Sequence, residues 1–141
     1  MKDSKKFNAS ALIALKEALA QIYWYKKDLR SFLINTLENP SIFANINWDN
    51  YKITIADSVI ETLAGNDKYR DELIKLFMAV STMSDFSHLE RLDDGKEKAI
   101  KAKKAVEALR KYTSDYQKIW DEKRQADEKR TAYAKKMEEL S

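Results

Sequence analysis

Apolar residues recur along this chain at intervals of three and four, the period of a helix with one buried face. Leu12, Leu15, Leu19 and Ile22 form the first such stripe, and Asn8 or Ser10 suits its N-cap, so a helix is predicted to about Tyr25. Leu29, Phe32, Leu33 and Leu37 form the next, with Asp28 as the expected cap and Asn39-Pro40 as its end. Pro40 suits the first turn of a short helix through Ile42, Phe43 and Ile46. Asn47 reads as the N-cap of a helix from Trp48 to Ala64, with Tyr51, Ile55, Val59 and Leu63 inward and Gly65 as a left-handed terminator. The β-branched run Ile53–Ile55 would also suit a strand, but the helical period and the flanking caps outweigh it. Asp67 to Met83 carries Tyr69, Leu73, Leu76, Phe77 and Val80 on one face, and a short helical turn is expected at Phe86–Leu92.

Asp94 and Glu97 have the spacing of a capping box, and no helix breaker follows from Lys96 onward. An unbroken helix of ~45 residues would be a rod of roughly 67 Å. One heptad row is Ala105, Tyr112, Ile119, Ala126, Tyr133 and Leu140; its partner row is Ala102, Leu109, Tyr116, Lys123, Arg130 and Met137. The first half, to about Trp120, is expected to pack on the helical domain and the second to be solvated or dependent on a partner. A break near Thr113–Ser114, folding the rod back as a hairpin, is the competing path. The prediction is therefore all-α: a bundle of about six helices over residues 1–92, then a long charged helix over 93–141. Leu15, Leu19, Phe32, Leu33, Trp48, Ile55, Val59, Leu73, Phe77 and Leu109 are its predicted core.

Composition strengthens this reading. Two glycines and one proline in 141 residues are too few for the turns a sheet protein needs. Charged residues make up 35% of the chain, which points to long solvated helix faces. Residues 1–92 carry 12 basic and 12 acidic side chains, so the net charge of +3 lies wholly in the C-terminal segment and is too weak for a nucleic-acid footprint. The absence of cysteine excludes disulfides and thiolate metal sites and agrees with a reducing compartment. Met1 to Phe7 is charged with no apolar run behind it, and no apolar run reaches the ~20 residues of a membrane span. The expectation is a soluble, cytoplasmic protein.

Chemistry is sparse. His88 is the only histidine, lies between Phe86 and Leu89, and reads as a capping or partly buried structural group. Glycines at Gly65 and Gly95 alone cannot form a phosphate loop. Asp93-Asp94-Gly95 has only a fragment of a calcium loop and reads better as a helix start. No catalytic residue, metal ligand, cofactor or small-molecule site is expected. Tyr23-Trp24-Tyr25 precedes Lys26, Lys27 and Arg30, and Trp48 and Tyr51 flank Lys52; aromatics among basic residues can stack bases and hold phosphates. Lys26, Lys27 and Arg30, with the basic positions Lys96–Lys104, are the candidate nucleic-acid contacts, with weak DNA binding the most that near-balanced charge allows. Core anchoring and an exposed aromatic at a protein interface are the other readings of these aromatics.

Tyr23 to Leu33 (YWYKKDLRSFL), Asn47 to Lys52 (NWDNYK) and Asp85 to Ala99 (DFSHLERLDDGKEKA) together resemble the N-terminal helical region of bacterial restriction-endonuclease-like proteins. In those proteins a helical region and a long charged helix lead into an Mrr-like nuclease domain of the PD-(D/E)xK type. The resemblance covers most of residues 7–110 in the same order, and none of its motifs is a catalytic signature. It implies an N-terminal domain, or a stand-alone relative lacking the nuclease, that assembles, positions or regulates a nuclease in defence against foreign DNA. Its catalytic residues have no counterparts here.

The leading functional expectation is thus a non-enzymatic interaction module, forming a homo-oligomer, a dimer, through Lys96–Leu140 or coupling to a downstream effector domain. Tyr112, Tyr116, Ile119, Trp120, Tyr133 and Met137 are its candidate contacts, since a 92-residue domain is expected to leave them uncovered. In a dimer Lys123 and Arg130 would need acids such as Asp127 or Glu128 across the pair. A nucleic-acid-binding helical domain is the alternative, and a hydrolase with an unrecognised carboxylate site a distant third.

Overall fold

The structure, a computed structural model, describes residues 8–140; the charged start Met1 to Phe7, read above as lacking a signal sequence, and Ser141 lie outside the described residues. Seven α-helices and two 3₁₀ turns account for the architecture, with no strand among the described residues. The fold class is all-α.

Helix α1 (Ala9–Ile22) opens as its sequence dictates, with Asn8 Oδ1 accepting from Ser10 N at 2.7 Å. Its buried face is Ala11, Leu15, Ala18, Leu19 and Ile22. Helix α2 (Lys26–Thr36) starts from Tyr25 without a side-chain cap, so Asp28 sits inside the first turn rather than capping it. There its charge still faces the positive end of the helix dipole. A 3₁₀ turn follows at Pro40–Phe43, closed by Asn39 accepting from Ser41 N.

Helix α3 (Lys52–Ala64) begins four residues later than its pattern predicts. Asn47 spends its side chain on Asp49 N at 3.0 Å, closing a tight turn ahead of the helix. Tyr51 consequently falls at the N-cap and is 80% exposed instead of inward. Gly65 ends α3 with φ −80°, not in the left-handed region, because Asn66 at once caps a 3₁₀ turn at Asp67–Tyr69 that leads into helix α4 (Arg70–Ser81). Helix α5 (Ser87–Glu90) is one turn long.

Helix α6 (Gly95–Arg110) does not start with the predicted capping box. Asp94 has φ +54° and its side chain makes no cap bond. A left-handed Asp94 lacks the extended backbone of an ordinary N-cap, and at Gly95 a Cβ would collide with the Glu90 carbonyl, so the backbone passes too close for any other residue. The predicted rod is also interrupted. At Lys111–Tyr112 the chain leaves α6, and helix α7 (Thr113–Leu140) starts afresh.

Helix α1 is the centre of the body, packed most extensively against α6 and α3. Ala11 and Ala18 on α1 and Ala102 on α6, all fully buried, let those backbones approach closely. Leu15, Leu19, Leu33, Ile55, Val59, Leu73, Phe77 and Leu109 are buried as predicted, while Phe32 and Trp48 are only partly buried at the margin of the core.

Candidate functional site

The path of α7 follows from its contacts with α4. Arg110, ending α6, donates from Nε to Ser81 O at 2.7 Å and from a terminal nitrogen to Met83 O at 2.8 Å, tying the break to the C-terminal end of α4. Tyr116 then meets Phe77 edge-on at 4.8 Å between centroids, and Lys123 pairs with Asp71 at 3.1 Å. Rising numbers on α7 meet falling numbers on α4, so the two run antiparallel. Helix α4 has 12 residues, about 18 Å, and α7 has 28, about 42 Å. More than half of α7 therefore extends beyond its partner as an arm.

This geometry divides the candidate contact residues. Tyr116 is 6% exposed, and its hydroxyl accepts from Asn8 N at 3.0 Å. Tyr112, Ile119 and Trp120 pack against the core. Tyr116 is thus buried and Tyr112, Ile119 and Trp120 partly buried within the chain, rather than left uncovered as expected, because the break lets α7 turn back along α4. Tyr133, Met137 and Leu140 are 67%, 49% and 74% exposed. Tyr133 and Leu140 continue the row of Ile119 and Ala126, and Met137 continues the row of Tyr116, so both packed rows run on into the arm.

Charges at the start of the arm pair within α7. Arg124 pairs with Asp121 at 3.8 Å and Arg130 with Asp127 at 3.2 Å, one helical turn apart. Lys123 reaches Asp127 at 3.9 Å as well as Asp71. Lys123 and Arg130 thus have acids within their own chain and need none across a pair. Such ladders support an exposed helix by a few tenths of a kcal/mol each, about 0.2–0.5.

At the α1–α2 junction the aromatic and basic residues do converge. Trp24 is 51% exposed, with Lys52 Nζ 4.9 Å and Lys98 Nζ 4.2 Å from its ring centroid. Lys52 also donates to Tyr23 O at 2.8 Å, and its burial lowers its pKa from the usual lysine value. Lys98 donates to the Asp93 carbonyl. Of the predicted contacts, Lys26 donates to Asp49 O at 2.9 Å, Arg30 stacks 5.0 Å over Trp48, and Lys27 is exposed. The lysines that matter most at this corner, Lys52 and Lys98, come from separate helices. Only tertiary packing joins them to Trp24.

His88 Nε2 lies 2.6 Å from Ile22 O. A carbonyl can only accept, so Nε2 carries the proton and the ring caps the C-terminal end of α1. Its ring lies 5.2 Å from Tyr23, and among the described residues no carboxylate hydrogen-bonds to orient it as a base. An open cleft of about 480 Å³ is lined by His88, Tyr23 and one face of α2. Among the described residues no group of three or more His, Cys, Asp or Glu is placed to hold a metal ion, and no helix is long and apolar enough to cross a membrane. Compared with known protein families, with curated proteins and with solved structures, the chain matches none.

Proposed function

We propose that this chain is a non-catalytic interaction module in which a packed helical body carries α7 as its coupling arm. The observation behind this reading is the exposed row Ala126, Tyr133 and Leu140, continuous with the packed Ile119, with Met137 beside it on the row of Tyr116. An apolar stripe on an exposed helix is suited to a partner helix. The partner proposed is a second copy, the two arms forming a short two-stranded seam. The resemblance to restriction-endonuclease-like N-terminal regions gives the module a setting, in which such an arm would assemble or position a nuclease.

Sedimentation of the full chain tests this. A dimer is expected, and Tyr133→Glu with Met137→Glu should return it to monomer without changing its helix content. A monomer at high concentration in the unmodified chain would remove the second copy as partner. The nucleic-acid reading rests on the Trp24–Lys52–Lys98 corner. It is the weaker one, because two ammonium groups lie over the indole that a base would stack on and Arg30 is engaged with Trp48. Any DNA binding there should be weak and fall steeply with salt.

A further inference from the structure

Helix α2 shows two adjoining faces. Leu29, Leu33 and Leu37 enter the core, while Asp28, Phe32 and Asn35 line a cleft that His88 and Tyr23 also line. Ser31 and Thr36 add two hydroxyls to the same face. At about 480 Å³ the space is in the range that holds a small ligand or one long side chain. The rings are close and mutually tilted: Phe32 lies 5.4 Å from Tyr23 at 41°, and His88 lies 5.2 Å from Tyr23 at 35°. Together Tyr23, Phe32 and His88 form an aromatic part of the lining, and aromatic rings attract a cation.

Asp28 supplies the matching charge. It is half-buried, and among the described residues it has no ion pair and no side-chain hydrogen bond. Burial and the Asp28 charge both raise the pKa of the Tyr23 phenol, which puts the carboxylate's negative field inside the cleft. No lysine or arginine lines the space. An anion would find no countercharge, and an uncharged apolar ligand would leave a carboxylate, an amide and two hydroxyls without partners.

We propose that this cleft binds an organic cation, an ammonium or guanidinium group carried on a short aliphatic chain, with Asp28 as countercharge and Tyr23, Phe32 and His88 as its aromatic wall. Asn35 and the hydroxyls of Ser31 and Thr36 accept the remaining N–H bonds. The cation comes either on a free polyamine-like molecule or on a lysine or arginine side chain of a peptide; the cleft chemistry is the same for both. The site is independent of the α7 arm.

Amide NMR titration of the full chain tests the proposal with three probes: agmatine, an acetylated Gly-Arg-Gly amide peptide, and sodium sulfate. The two cations should shift the amides of Tyr23, Asp28, Phe32, Asn35 and His88 saturably, and sulfate should not. The tighter of the two cations identifies the source. Asp28→Asn should weaken binding by about tenfold or more, the loss of one charge-assisted hydrogen bond. Asn35→Lys, at an exposed position, should abolish it by placing an ammonium group in the cleft, with the melting temperature unchanged. The proposal is overturned if neither cation gives saturable shifts, if sulfate binds as well as they do, or if Asn35→Lys binds them as the unmodified chain does.

Discussion

Phe77 and Phe32 have the same side chain and opposite duties. Phe77 has no exposed surface and holds the Tyr116 ring edge-on, so its loss opens a cavity between α4 and α7. Phe77→Ala should cost about 3–5 kcal/mol in chemical denaturation. Phe32 lines the cleft and is only partly buried, so Phe32→Ala should cost about 1–2 kcal/mol, despite its regular place in the α2 stripe. Equal losses would mean that the cleft is closed in solution. Asp85 is a different residue-scale case. Its carboxylate accepts from Ser87 N at 2.9 Å ahead of α5, and that bond, with the Ser87 side chain and then the nearby His88 and Arg91, holds its pKa below the usual 3.8. A depressed carboxylate pKa stabilises the fold above the unfolded value and loses that contribution as pH falls through the folded one. Melting temperatures of the unmodified chain and Asp85→Asn should therefore differ near neutral pH and converge on acidification below 3.8.

The helix most informative about the limits of sequence reading is α6, because both of its ends depend on distant backbone. At its start, Asp94 and Glu97 have the spacing of a capping box, yet Asp94 is left-handed and Gly95 packs against the Glu90 carbonyl. At its end, nothing local in Arg110-Lys111-Tyr112-Thr113 breaks a helix; what fixes the break is Arg110 reaching two carbonyls beyond α4. Arg110→Ala should cost about 1.5–3 kcal/mol, since it leaves two carbonyl acceptors without a charged donor. Arg110→Lys should recover only part of it, because a single ammonium cannot span both as the guanidinium fork does. Thermal unfolding of the two variants decides this, and full rescue by lysine would show that charge alone sets the turn. By contrast, α1 was legible almost residue by residue, since its cap and stripe are local: Asn8 bonds Ser10 and the apolar spacing points inward. The same holds for the buried stripes of α3 and α4. Their starts shifted because Asn47 and Asn66 closed turns of their own, a competition that spacing alone does not rank. The cleft was illegible for a similar reason: His88 and Asp28 are 60 positions apart, and tertiary packing, the His88 bond to Ile22 included, brings them to one cleft.

For the whole molecule, the boundary of the folded body lies inside α7 rather than between helices. Up to Lys123, α7 contributes Tyr116 and the packed Ile119 and Trp120 to the core, and the Lys123–Asp71 pair ties it to α4. That pair is 41% and 55% exposed at its two side chains, so it is worth at most about 1 kcal/mol after solvent screening. Beyond it every residue from Glu128 to Leu140 is exposed. Two truncations should therefore behave very differently. A chain ending at Arg124 should unfold within about 1 kcal/mol of the unmodified protein, losing arm helix but no core contact. A chain ending at Tyr112 removes Tyr116, Ile119 and Trp120 together and uncovers Phe77, so it should lose at least about 3–5 kcal/mol, the scale of one large buried aromatic. Circular dichroism during denaturation measures both. A large loss on the first cut would make the arm part of the fold, whereas a small loss on the second would mean that α7 does not seal α4 at all. If the losses fall as stated, the arm's helicity is held by its own ladder of ion pairs, and raising salt should melt it before the body, because exposed pairs are screened and buried leucines are not.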